Sequence, residues 1–558
     1  KHMLKYLKIP FSFIRRYGGI FLLFIPGVVV LIHIFGITLS RIPGDLGDSR
    51  MVWYMLEHFY AWISGKIDSY WNAGFFYPYP STAAFSETML GSAPLYALFR
   101  FLGFSKYLSY QFWLILGFML NYFAAAFVLV KCSLKPLAAG AGAFFFAFGM
   151  PIFGQEYHLQ LILRFLVPVA GYLLWRFSQK PRFVLLPLLF FAVVWQFYIS
   201  VYTGFFLAIM LLVMLFLIPF INGGDTSRNP FRFWSSALVL SFKSTSIPKR
   251  ILHLFLMAAC LFLLVKLFMP YYVVTQKYGF TRSIDYIITM MPRLESFFLA
   301  DGSQIWNTKT WITKFISHRH EQQLFPGLSV YLLIAAGLIW NFRHVNKRFA
   351  LVNLFTVVVI LLLTTYNNGF SPYVYFLSLP GFNSIRTVCR IHLVSMWPVA
   401  VFIATVLDAL LSAPVKKINF RWVSFLLIGF MLMESLYFDH PTYEKTQAAE
   451  RLSVLYNQIE KKGLIVKEDS VLYVGEVPGD IPYATDVDGM WLGLELGIPT
   501  LNGMTSNFPD GAVVASSDCG RIDSFIRSYM KFASIKEAQF RDQLFKRLII
   551  LNMDHCNY

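Results

Sequence analysis

Residues 18–40 read GGIFLLFIPGVVVLIHIFGITLS, and residues 41–50 follow at once with RIPGDLGDSR. At about 1.5 Å of rise per residue, the first stretch crosses about 30 Å of hydrocarbon as a single helix. It is too long for a signal-peptide core and has no clear small-residue cleavage site, so it reads as a retained span. In the second stretch Pro43 stops a helix, and Gly44 and Gly47 permit close backbone approach. Asp45 and Asp48 therefore stand within a few residues of the bilayer surface. A span that ends in an acidic turn points to a membrane protein whose chemistry sits at one face.

The apolar signature recurs near 109–130, 136–154, 161–177, 183–199, 202–221, 251–273, 327–342, 349–365, 391–412 and 422–438. These windows make about eleven spans, and the fold class is a polytopic α-helical membrane protein. Composition agrees: 57% of the 558 residues are hydrophobic and 14% charged, against about 25% charged in a soluble domain. A string of soluble domains, a fibrous or disordered chain and a disulfide-dense secreted scaffold are all excluded.

Lysine and arginine number 48 against 30 acids, a net charge of +18. The basic residues sit in short loops between apolar runs, which encodes orientation and not a nucleic-acid surface. Alternate loops collect Lys131, Lys135, Arg176, Lys180, Arg182, Arg228, Arg232, Lys243, Lys249, Arg250, Arg343, Lys347, Arg348, Lys416, Lys417 and Arg421, offset by Asp225 alone. By the positive-inside rule that face and the N-terminus are cytoplasmic. An odd span count then places residues after 439 on the other side.

Four segments on the outer face exceed a tight turn: 41–108, 274–326, 366–390 and the tail. Within the first, residues 51–63 (MVWYMLEHFYAWI) and 94–104 (PLYALFRFLGF) are too short to span and read as helices lying in the interface. The expected organisation is a transmembrane part, 3–438, followed by a small extracytoplasmic α/β domain, 439–558. In the tail, 444–462 reads as a charged helix, while 470–476 and 548–552 read as buried strands. A turn at Asp488-Gly489 would start a helix at Trp491, broken by Pro499. Cys519 and Cys556 lie in the tail, where an oxidising compartment permits a bridge, though their spacing leaves pairing open. There is no zinc spacing, Walker motif, dinucleotide fingerprint or nucleophile elbow.

A carboxylate at position 45 or 48 can take a proton from an acceptor or hold a divalent cation; alternatively, Asp48 simply caps the next helix. Similar signals recur at other outer ends. Residues 154–160 (GQEYHLQ) supply Glu156 and His158. Arg164 follows inside a span, either functional or snorkelling. Arg386 and Arg390 sit four apart on one helical face and suit a lipid phosphate or diphosphate, or serve as general headgroup anchors. The long loop adds Arg282, Asp285, Arg293, Glu295 and Asp301, then His318, Arg319, His320 and Glu321. Glu87 stands where the first loop returns to the membrane, with a helix-start charge as its plain alternative. Trp53, Tyr54, Trp62, Trp71, Tyr77 and Tyr79 are interfacial anchors or sugar-stacking faces.

This organisation resembles the GT-C superfamily of membrane glycosyltransferases. The likeness rests on RIPGDLGDSR after the first span, the large first outer loop, the many further spans and the outer tail, and it covers roughly residues 10–438. The resemblance implies transfer of a sugar from a polyprenyl-phosphate donor to a hydroxyl or amine of a glycan, lipid or protein acceptor. Asp48, supported by Asp45, would be the base. Arg386, Arg390, Arg282 and Arg293 would hold the donor phosphate, while Glu87, Glu156, His158 and Glu321 line the cleft. It also implies inversion by single displacement, a possible divalent cation (Mg or Mn) with no ligand set assigned, and placement among membrane lipids, in a bacterial inner membrane, with no nucleic acid. A transporter or flippase for lipid-linked saccharides and a non-catalytic membrane binding protein are the competing readings. Repeat symmetry, the mark of many transporters, is not visible between residues 18–221 and 251–438.

Overall fold

The structure, a computed structural model, describes residues 11–222, 229–307, 316–339, 344–379, 381–413, 420–512 and 515–553. Helix α1 (Phe11–Phe35) leads to strand β1 (Arg41–Pro43), then α2 (Asp48–Ile63) and α3 (Ala93–Phe101). The chain continues through α4 (Lys106–Lys131), α5 (Pro136–Phe148), α6 (Met150–Phe153), α7 (Leu166–Gln179), α8 (Leu185–Ile199) and α9 (Val201–Asn222). Next come α10 (Pro230–Lys243), α11 (Ile247–Tyr278), α12 (Ile284–Thr289), α13 (Leu328–Ile339), α14 (Lys347–Thr364) and α15 (Tyr373–Phe376). Helices α16 (Ile391–Ser412) and α17 (Phe420–Leu436) complete this part. The tail holds β2 (Thr442–Glu444), α18 (Lys445–Lys461), β3 (Val471–Val474), α19 (Pro482–Leu496), α20 (Cys519–Phe532), α21 (Ala538–Lys546) and β4 (Leu548–Leu551).

A helix stands at each of the eleven apolar windows. Among the described residues, eight stretches are long and apolar enough to cross a membrane: Tyr17–Phe35, Lys106–Lys131, Pro136–Phe153, Leu159–Gln179, Val201–Asn222, Ile247–Tyr278, Lys347–Thr364 and Val388–Ser412. Helices α8, α13 and α17 are shorter, at 15, 12 and 17 residues. The molecule is a multi-pass membrane protein. The first span ends at Phe35 and not at 40, because Gly36 takes a left-handed φ of 74° and turns the chain.

Helix α16 is the axis of the bundle, buried along almost its whole length. A Cβ on Gly142 of α5 would lie 2.9 Å from the Ala400 oxygen and 2.8 Å from the Ala404 methyl, so glycine there lets α5 and α16 pack backbone to backbone. The chain between α6 and α7 is irregular, and its polar backbone is satisfied by side chains. Asn121 donates to the Ile162 oxygen at 2.6 Å and accepts from the Arg164 nitrogen at 2.9 Å, while Gln196 donates to the Leu163 oxygen at 3.0 Å. Arg164 neither snorkels nor faces a ligand. Fully buried, it donates to the Phe146 oxygen at 2.7 Å and the Leu393 oxygen at 2.6 Å, tying α5 to α16.

The tail is bound to the first loop. Strand β1 pairs antiparallel with β2, Ile42 opposite Tyr443. Strands β3 and β4 pair in parallel, Leu472 opposite Ile549, and Thr500 bridges to Leu472 on the other side. The stretch after α19 lies along the first loop, with Phe76 donating to the Asn502 oxygen at 3.0 Å and Tyr77 to the Thr500 oxygen at 2.9 Å. This contact corrects two expectations. Helix α2 does not lie open in the interface: Trp53 and Tyr54 are buried, Trp53 packs on Trp491 at 4.5 Å, and Arg50 pairs with Asp488 at 2.7 Å. Tyr79 is likewise core, ringed by Phe525, Tyr529 and Phe532. Helix α19 starts at Pro482 and runs through Asp488-Gly489; Gly489 is there because a Cβ would strike Asn502 at 2.6 Å, and Gly497, φ 71°, ends the helix before Pro499. Cys519 is disulfide-bonded. Cys556 lies outside the described residues.

Candidate functional site

The turn after β1 is shaped around Asp45. Gly44 takes φ 90° where a Cβ would meet Ser49, and the chain folds back so that Asp45 Oδ1 accepts from the Gly47 and Ser49 nitrogens at 3.2 and 3.1 Å. Asp45, three residues ahead of Asp48, therefore satisfies the free N–H groups at the start of α2. Burial raises its carboxyl above the usual range, the Ser49 and Gly47 bonds opposing and the nearby Asp48 adding to the rise. Asp48, the first residue of α2, is left out of this turn. Its side chain is 43% exposed, with Oδ2 3.9 Å from His158 Nδ1. Of the two aspartates, Asp48 is the one whose side chain makes no hydrogen bond among the described residues.

His158 joins four segments of the chain. Its Nε2 lies 3.0 Å from Glu321 Oε1. Glu321 is gripped by Arg390, whose Nε donates to Oε2 at 3.0 Å and whose Nη2 donates to Oε1 at 2.6 Å. Both members of this fork are buried. Burial pushes the Glu321 carboxyl up, but the Arg390 guanidinium and then His158 outweigh it and hold the group well below the usual range. An ionised Glu321 fixes the imidazole with its Nε2 proton toward the carboxylate, so Nδ1 is the face turned to Asp48. His320 stands nearby, its imidazole pushed down first by burial, against Glu321, with His158, His318 and Arg390 adding to the fall.

Arg390 is thus not a free phosphate ligand. Its charge is compensated by Glu321, and the guanidinium lies over the Tyr202 ring at 5.0 Å. Beyond Tyr202 the cations differ. Arg282 donates to Asn507 Oδ1 at 3.2 Å, and Arg386 donates to the Tyr286 hydroxyl at 3.3 Å. Among the described residues neither pairs with a carboxylate. Burial lowers the Arg282 guanidinium, and Arg386 lowers it further. Among the described residues both guanidinium groups thus meet neutral hydrogen-bond partners only.

Three further candidates stand elsewhere. Glu156 is not part of this contact chain: buried, it meets His440 Nδ1 at 2.7 Å, and burial raises its carboxyl against the pull of that histidine. Glu87 accepts from the Ser200 hydroxyl at 2.8 Å and the Tyr202 nitrogen at 3.0 Å, capping α9 from the first loop. Arg293 lies over the Tyr366 ring at 4.3 Å and donates to the Ile288 oxygen, away from the Asp48 chain of contacts. The sequence reading missed Tyr202, Tyr286 and Asn507, which bear no signal apart from an aromatic or amide side chain at a loop end.

The donor set does not fit a resident divalent ion. Glu156 is tied to His440, Glu321 is compensated by Arg390, Asp45 is spent on backbone nitrogens, and among the described residues no three His, Cys, Asp or Glu side chains are grouped to hold a metal.

No protein-family model matches the sequence, and no curated protein matches it. A crystal structure of the oligosaccharyltransferase of Archaeoglobus fulgidus in complex with Zn and sulfate is similar in fold at a TM-score of 0.43 and 14% identity. The alignment covers 86% of this chain, which spans 62% of the length of that protein.

Proposed function

We propose that the chain is a membrane glycosyltransferase that moves a sugar from a polyprenyl-phosphate donor to an acceptor hydroxyl or amine at the outer face. The observation that carries this reading is the contact chain Asp48, His158, Glu321 and Arg390, drawn from four distant segments, with the unpaired Arg282 and Arg386 beyond it. The acceptor O–H or N–H gives its proton to the Asp48 carboxylate as the acceptor atom attacks the anomeric carbon. The bond from that carbon to the phosphate oxygen breaks, and the polyprenyl phosphate leaves with the electron pair. Arg282 and Arg386 take up the charge on that phosphate, more strongly than they hold the bound donor. A single displacement inverts the anomeric centre.

His158 sets the position of the acceptor proton. Its Nδ1 and the Asp48 carboxylate lie 3.9 Å apart, so in this reading the acceptor group sits beside both. The tail contributes too, since Arg282 is held by Asn507, and in this reading the tail belongs to the outer face with the first loop.

The test is transfer of labelled sugar from a lipid-phosphate donor in membranes carrying the full chain. Asp48→Asn is expected to lower transfer by about 10²- to 10⁴-fold with expression and folding intact. Full activity in both Asp45→Asn and Asp48→Asn would remove the aspartate base. The same assay with a chelator separates a cation-free reaction from one that recruits an ion with its substrate.

A further inference from the structure

The opposite end of the bundle is strongly basic. Between Glu156 and Asp285 the sequence holds one acidic residue, Asp225, which lies outside the described residues. Arg176, Lys180, Arg182, Arg232, Lys243, Lys249 and Arg250 all fall in this stretch, around the end of α7, α10 and the start of α11.

Helix α10 is built where the sequence reading expected only a basic loop. Asn229 Oδ1 accepts from the Phe231 and Arg232 nitrogens at 3.0 and 3.3 Å, and Pro230 occupies the first turn. The helix has three faces. One is packed: Trp234 Nε1 donates to the Leu215 oxygen at 2.8 Å, Phe177 stacks on Trp234, and Ala237 and Ser241 are buried. A second carries Phe231, Leu238 and Phe242, seven and four residues apart on one stripe, all exposed, Phe231 by 88%. The third carries Arg232, Ser236 and Lys243 at the same spacing. Against it opens a hollow of about 450 Å³ lined by Ser178, Pro181, Arg232, Phe233, Ser235 and Ser236. Among the described residues the Arg232 guanidinium has no hydrogen-bond or ion-pair partner.

An exposed apolar stripe beside a polar one that carries two cations and no acid is the pattern of a helix lying in the membrane interface, its apolar edge among acyl chains and its cations among phosphates. We infer that the hollow between the end of α7 and α10 binds the phosphate headgroup of an anionic phospholipid. Arg232 and the Ser236 hydroxyl hold the phosphate, with the Ser178 and Ser235 hydroxyls turned to the Trp175 and Arg232 oxygens of their own helices, and Phe231, Leu238 and Phe242 cover the acyl chains. The charge favours an anionic occupant: Arg232 lines the hollow and no acidic residue does.

The full-length protein in phosphatidylcholine nanodiscs, doped with photoactivatable phosphatidylglycerol or photoactivatable phosphatidylcholine, tests this by mapping the crosslinked peptides. Phosphatidylglycerol is expected to label α10 and residues 178–182 at least fivefold more than phosphatidylcholine does. Arg232→Gln is expected to remove that excess while labelling along the exposed face of α11 is unchanged. Radiolabelled inorganic phosphate retained by the wild type but not by Arg232→Gln in phosphatidylcholine nanodiscs, with no phosphatidylglycerol excess in the crosslinks, would make free phosphate the ligand and overturn the lipid assignment. Equal labelling by the two lipids, or an undiminished excess in Arg232→Gln and in a second variant, Ser236→Asp, would overturn the site.

Discussion

His158 Nε2 lies 3.0 Å from Glu321 Oε1, and the opposite ring nitrogen is turned to Asp48. A histidine between a buried, charge-compensated carboxylate and a half-exposed one has a fixed orientation and a free face. In the proposed reaction the two acids therefore have separate work, one holding the ring and one meeting the acceptor.

Exchange of the two first-loop aspartates separates chemistry from architecture. Asp48→Asn is expected to lower transfer by about 10²- to 10⁴-fold with little change in stability, since the side chain holds no backbone group. Asp45→Asn keeps an oxygen for the Gly47 and Ser49 nitrogens and should cost less than about 1 kcal/mol. Initial rates and thermal midpoints of the two purified variants check the assignment. Larger loss of turnover in Asp45→Asn would reverse it.

Glu321 and Arg390 act as one unit. Glu321→Gln leaves a buried guanidinium without its counter-charge and is expected to cost about 3–5 kcal/mol, lowering the thermal midpoint in detergent. The double replacement, Glu321→Gln with Arg390→Met, removes both charges and should recover much of that loss, a coupling that a double-mutant cycle reads directly. Additive losses would show that the two side chains do not depend on one another. Activity is not expected to recover, because His158 stays unheld.

Asn507 tests whether the tail takes part in donor binding. Its side chain accepts from Arg282 and donates to the Phe85 oxygen at 2.9 Å. Asn507→Ala loosens Arg282 and should raise the donor KM several-fold with kcat little changed. Asn507→Asp is nearly isosteric but neutralises Arg282, so its KM is expected to rise further than that of the alanine variant. If aspartate is tolerated better than alanine, Asn507 serves packing alone.

How much of this was legible follows from the range of each interaction. Apolar runs state their own burial, so the windows at 109–130 and 391–412 coincide with α4 and α16 to within a few residues. Helix α10 was legible too, from Asn229-Pro230, but was masked by the basic residues around it. Residues 488–489 looked like a turn because Asp-Gly is a local turn signal; Asn502, packed against Gly489 from the following segment, decides otherwise. Arg164 shows the same limit. An arginine in a span reads as functional or snorkelling, and only the carbonyls of Phe146 and Leu393, on two other helices, reveal a structural clamp. The convergence of His158 on Glu321 is set by how three loops cross, for which no local pattern exists.

The buried Asp486 makes the tail sensitive to pH. Burial pushes its carboxyl up to about 7, although Asn502 and the Ala515 and Gly503 nitrogens all donate to it. The native state therefore holds a proton that the unfolded chain releases near the usual 3.8. The stabilising contribution is complete below that value, declines as pH rises and is lost above about 7, for a total on the order of a few kcal/mol. Hydrogen exchange at β3 and α19, which Asn502 and Asp486 join, should thus quicken between pH 5 and pH 8 beyond the intrinsic chemical rate. Asp486→Asn should flatten that profile at a lower overall stability, because its amide can turn only one oxygen toward the three donors. A wild-type profile already flat across this range would mean that Asp486 stays ionised in the fold and that its three donors outweigh its burial.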